Sequence, residues 1–125
     1  MLSTRPLITA FALGRLAFGL GLMSRPDKVA SGWIGKDAHR GAVKIVIRGL
    51  GARDVALSAG ALAALGDEDR LAHWIAAAIG CDLSDVVSTL AAPPDALPGN
   101  ARWGTVALGG GSALAGALLL AGMKR

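Results

Sequence analysis

The chain has 125 residues, 53% of them hydrophobic but only 4% aromatic, and its net charge is +4. A soluble core of this length ordinarily relies on aromatic bulk, whereas a surplus of small apolar residues suits close helix contacts in lipid. The single Cys81 excludes an internal disulfide framework and a cysteine-built metal cage, and the basic residues do not gather with aromatics on one face, so nucleic acid is not expected as a partner.

In chain order, the first apolar segment covers residues 6–23. Pro6 suits a first helical position, and eighteen helical residues span roughly 27 Å, enough for the hydrocarbon layer. Arg15 interrupts this run and no small-x-small site follows, which argues against a cleavable signal. Arg25-Pro26 closes the helix, because the residue before proline avoids helical angles. Residues 24–37 are expected to form a loop, with Arg25, Lys28 and Lys36 at headgroups and Trp33 and Ile34 dipping into the interface. Asp37 is the expected cap of the next helix.

The second segment, residues 38–65, contains the most informative stretch, Arg48-Gly49-Leu50-Gly51-Ala52-Arg53-Asp54. Two arginines and an aspartate sit there within an otherwise apolar helix. Gly49-x-Gly51 lacks the preceding strand and the remaining glycines of a nucleotide loop, so it reads as a close-packing or kink element. Ala52, Ala56, Gly60 and Ala64 recur every four residues and predict a seam for a neighbouring helix. Gly66 is the expected left-handed stop and Asp67 the cap of the third segment, residues 69–90. There Ala76, Gly80 and Ser84 continue a matching seam, so the second and third helices are predicted to pack tightly on each other. A proline-rich break at residues 92–100 leads to the fourth segment, residues 102–123, with Asn100 as its cap. Residues 103–123 carry no charge, and Lys124 and Arg125 are read as the anchor at that end.

These elements predict an all-α fold, a four-helix transmembrane bundle of up-down-up-down topology forming one domain, with Trp33, Trp74 and Trp103 near helix ends as an aromatic belt. Positive-inside counting weakly favours a cytoplasmic first loop: Arg25, Lys28, Lys36, Arg40 and Arg102 fall at one end, and Arg5, Arg70, Lys124 and Arg125 at the other.

Inside the predicted spans lie Arg15, Arg48, Arg53, Asp54, Asp82 and Asp85, three cations and three anions. An unpaired charge at the bilayer centre costs about 3 kcal/mol on insertion scales, so these residues are expected to pair across helices, with the fourth segment as an apolar wall. Such a network either organises the bundle or docks a membrane partner; the alternative is binding or transport of a proton, an ion or a small solute. An anionic lipid bridging Arg48 and Arg53 is conceivable, since arginine forks suit phosphate oxygens. The expected partners are the lipid bilayer and a second copy or a larger membrane complex. Neither His39 nor His73 has a second ligand at metal spacing, and Cys81 beside Asp82 makes a poor nucleophile, so no metal, cofactor or catalytic site is expected.

The string Arg48-Gly-Leu-Gly-Ala-Arg53-Asp54, with Asp82-Leu-Ser-Asp85 one helix later, resembles bacterial families of small four-helix membrane proteins classed as domains of unknown function. Those families carry a Gly-Ala-Arg-Asp element in the second helix and Asp-x-x-Asp in the third. The resemblance implies a multi-pass protein of the bacterial inner membrane and supplies no reaction.

Overall fold

The computed structural model describes residues 4–123, so the anchor read for Lys124 and Arg125 lies outside the described residues. The fold is all-α, built of α1 (Arg5–Ser24), α2 (Pro26–Ile34), a 3-10 turn (Gly35–His39), α3 (Gly41–Ala63), α4 (Glu68–Ala91) and α5 (Ala101–Met123). The expected four helices are therefore five among the described residues.

The fifth is α2, inside the stretch read as a loop. Pro26 does end α1, but it also occupies the first position of a new helix, where its missing N–H is harmless. Asp27 follows in the first turn, and Pro26, Ala30 and Ile34 repeat every four residues and are all buried. Gly35, at φ 67°, then turns the chain where a side chain would be strained. Trp33 Nε1 donates to Thr105 Oγ1 at 2.8 Å and ties α2 to α5. Replacing Trp33 with Phe should lower stability by about 1 kcal/mol or more, a drop of a few degrees in Tm, because one partly buried hydrogen bond is lost and a smaller phenyl replaces the indole.

Several helix ends differ from expectation. Asp37 falls within the 3-10 turn, and the residue capping α3 is Arg40, which makes no side-chain cap. Gly66 does not adopt positive φ; among the described glycines that is confined to Gly35 and Gly99. Asp67 does cap α4, accepting from Arg70 N–H at 3.2 Å. Asn100 serves α5 through its backbone carbonyl, which accepts from Gly104 N–H at 2.9 Å.

Three helices, α1, α4 and α5, are long and apolar enough to cross a membrane. The second predicted span, now α3, is not among them, because Lys44, Arg48, Arg53 and Asp54 interrupt its apolar run. Large hydrophobic side chains cover the outside, among them Leu7, Leu13, Ile45, Leu108, Leu114 and Leu118.

The strongest packing joins α1 to α3 and α4 to α5; α3 and α4, expected to pack tightly on each other, touch less extensively. The expected seam lies mostly outside: Ala52, Ala56, Ala76, Gly80 and Ser84 are exposed, and Gly60 is half-buried under the Trp74 ring. Backbones approach closely elsewhere. A Cβ on Gly51 would stand 2.6 Å from the Gly19 carbonyl oxygen, and one on Gly116 would stand 2.9 Å from Ile79 Cγ1. Apolar clusters occupy both ends of the bundle. One holds Ile8, Ala12, Ala61, Ala64, Leu71 and Ile75; the other holds Leu22, Ala30, Ile34, Ala38 and Ile47. Between them, near mid-height of the four long helices, lie the buried charges.

Candidate functional site: a buried Arg/Asp network

Arg15 stands near the middle of α1, on the face that also buries Ile8, Ala12, Gly19 and Leu22. Its planar guanidinium presents donors in several directions at once. Nη1 donates to Asp54 Oδ1 of α3 at 3.1 Å. Nη2 donates to Asp82 Oδ2 of α4 at 2.5 Å and to Ser112 Oγ of α5 at 2.9 Å. One side chain thus joins all four long helices. The group is buried: the side chains of Arg15, Asp54 and Asp82 are 9%, 8% and 8% exposed. The Phe11 ring, 5.9 Å from the guanidinium carbon, flanks it with a π face.

Arg53 forms a second, more open centre. Its Nη1 and Nη2 donate to the two oxygens of Asp85 at 3.0 and 2.6 Å, the fork-to-fork geometry that suits arginine and carboxylate. Nη2 also lies 3.9 Å from Asp54 Oδ1, so Asp54 links the two centres. Asp82 and Asp85, one turn apart on α4, therefore serve different arginines. Ser58 Oγ donates back to the Asp54 carbonyl at 2.6 Å. Arg53 Nε is buried without a hydrogen-bond partner.

Of the six residues expected to form the network, the structure brings together Arg15, Arg53, Asp54, Asp82 and Asp85. Arg48 stands apart. It is exposed, and its Nε donates to the Met23 carbonyl at 3.1 Å, near the C-terminal end of α1. The two arginines of the motif are five residues apart on one helix, so they face different neighbours and different depths. Bridging of Arg48 and Arg53 by one phosphate loses its geometric basis.

Sequence reasoning missed Ser112. The helix expected to be a wall without polar contacts supplies a hydroxyl to Arg15. A signal was present: Ser112 is the sole hydroxyl between Val106 and Met123, and it sits near the centre of α5.

A cavity of about 30 Å³, room for one or two waters, reaches the network at Arg15, Asp82, Ser58 and Ser112 and is otherwise walled by apolar residues such as Ile8 and Ile79. Elsewhere His73 Nδ1 lies 2.6 Å from the Asp69 carbonyl, and His39 lies 3.8 Å from Asp27. Among the described residues no group of three or more His, Cys, Asp or Glu side chains could hold a metal ion.

No protein-family model matches the chain, and no curated protein or solved structure matches it.

Proposed function

We propose that this chain is a small multi-pass membrane protein in which the Arg/Asp network organises the helices, with no catalytic role. The observation that carries the reading is the set of bonds made by Arg15. A guanidinium that joins α1 to α3, α4 and α5 fixes helix register more sharply than small apolar side chains do, because its bonds tolerate little sliding. Lipid strengthens the argument: apolar packing there gives helices no preference over lipid tails, so polar bonds and close contacts hold the bundle. With Arg53 and Asp54 paired inward, α3 can cross alongside α1, α4 and α5 in up-down-up-down order. Arg48 and Lys44 then join Arg25, Lys28, Lys36 and Arg40 at the headgroups of one face, which would be cytoplasmic by positive-inside counting. This fits the resemblance to bacterial inner-membrane families, and assembly with a second copy or a larger complex belongs to the same reading.

A second reading, binding or passage of a small solute, is favoured by the water-sized cavity against Arg15 and Asp82. One experiment separates the two. Asp82→Asn weakens the bond to Arg15 and should lower Tm in detergent by 5 °C or more, roughly 1–3 kcal/mol for a charged hydrogen bond. Asp85→Asn, at the more open pair, should stay folded. Proteoliposomes of wild type and Asp85→Asn should be equally silent in proton and ion flux. A wild-type flux that the folded Asp85→Asn protein loses would establish transport and displace the organising role.

A further inference from the structure

The network is not balanced. The sequence offers three cations to three anions, but Arg48 lies six residues from Asp54, about 9 Å along α3, and bonds the end of α1 instead. What remains is two guanidiniums, Arg15 and Arg53, facing three carboxyls, Asp54, Asp82 and Asp85. α5 brings only the neutral Ser112 to Arg15, and Cys81, half-buried on α4, adds no cation. Fully ionised, the cluster would hold one uncompensated negative charge in the middle of the bundle, which the apolar surroundings of Asp54 and Asp82 oppose.

We propose that the network is a proton-binding site and that Asp54 holds the proton on Oδ2. The bond pattern selects this carboxyl. Asp85 receives both terminal nitrogens of Arg53, and Asp82 receives the shortest bond from Arg15. Asp54 and Asp82 each accept on one oxygen only, and the bond to Asp54 is the longer, 3.1 Å on Oδ1 against 2.5 Å; Asp54 Oδ2 accepts none among the described residues, which leaves it able to carry a hydrogen. A neutral acid keeps Oδ1 as an acceptor and carries its hydrogen on the other oxygen, so protonation preserves the bond to Arg15. A metal cation fits worse, because hard cations need several converging oxygens. Ser58 Oγ, the nearest hydroxyl on α3, is turned to the backbone carbonyls of Asp54 and Val55. Loss of the proton would charge the site between α1 and α3, so the network would respond to pH at the contact that holds those helices together.

The proposal rests on the organising reading, and two measurements keep their failures apart. Infrared spectra of the purified protein in lipid nanodiscs should contain a protonated-carboxyl band at neutral pH that disappears on alkaline titration. Asp54→Asn, a neutral mimic, should lack the band and should melt at a temperature insensitive to pH over the range in which wild type loses stability. Should that variant fail to fold, unfolding the wild type in unbuffered solution at neutral pH still reads the proton, with about one released per chain. A wild type without the band, a band that survives in Asp54→Asn, or stabilisation of wild type by sodium over choline at equal ionic strength would each overturn the site. The organising role is read separately by the melting of Asp82→Asn, and its failure would leave the infrared result standing.

Discussion

Arg15→Met should be the most damaging single substitution in this chain. It keeps length and apolar bulk but removes the bonds to Asp54, Asp82 and Ser112 together. The loss should be about 3–5 kcal/mol, the range for breaking a buried ion pair so that its partner stays buried and unpaired. Melting in mild detergent would then fall by roughly 10–20 °C, or the protein would fail to accumulate. Arg15→Lys should fall between, since a single ammonium cannot serve carboxyls in two directions as the planar fork does. The triple variant Arg15→Met, Asp54→Asn, Asp82→Asn should recover much of the loss, because no charge is then left buried alone. A coupling of 1 kcal/mol or more between these substitutions would show that the network acts as a unit. An Arg15→Met protein that melts with wild type would refute the view that Arg15 holds the bundle.

Much of this was legible because charge inside an apolar run has few ways to be satisfied. Arg15, Arg53, Asp54, Asp82 and Asp85 each break a hydrophobic segment, and pairing follows from the energy of leaving them alone. Depth was harder to read. Arg48 looked as deep as Arg53, but α1 ends beside it and offers the Met23 carbonyl, a matter of how two helices align that neither sequence carries alone. The packing face was misread for a related reason. Two stripes compete on α3: one runs through Ala52, Ala56 and Gly60, the other through Ile47, Gly51, Asp54, Ser58 and Ala61. Both suit a helix interface by spacing, and the second is the buried one because it carries Asp54, which must be covered. On α4 the same choice buries Leu71, Ile75 and Asp82 and leaves Ala76, Gly80 and Ser84 outside. The short α2 is marked in the sequence by Pro26, Ala30 and Ile34, but a proline such as Pro26 can end one helix and open the next, and the sequence does not separate the two.

The glycine contact between α1 and α3 sets the distance over which Arg15 must reach, and Gly51→Val should disclose this. A Cβ at Gly51 would meet the Gly19 carbonyl oxygen at 2.6 Å and Leu22 Cβ at 2.9 Å. The first is backbone and cannot swing away, so the helices must part. Overpacking of this kind costs about 1–3 kcal/mol, and the upper end applies where the obstacle is rigid. Arg15 lies four residues from Gly19 and Asp54 three from Gly51, one turn along each helix, so parting the backbones also stretches the 3.1 Å bond between them. Gly51→Val should therefore lose more than its local clash, and combining it with Asp54→Asn should cost less than the sum of the two. Gly49→Ala is the control, two residues away on the same helix with open space where its Cβ would go. It should be neutral or stabilising by up to about 1 kcal/mol, the usual gain of alanine over glycine in a helix. If Gly51→Val matched wild type in melting while Gly49→Ala lost stability, the contact between α1 and α3 would have to run along a different face, and Asp54 could not meet Arg15 as described.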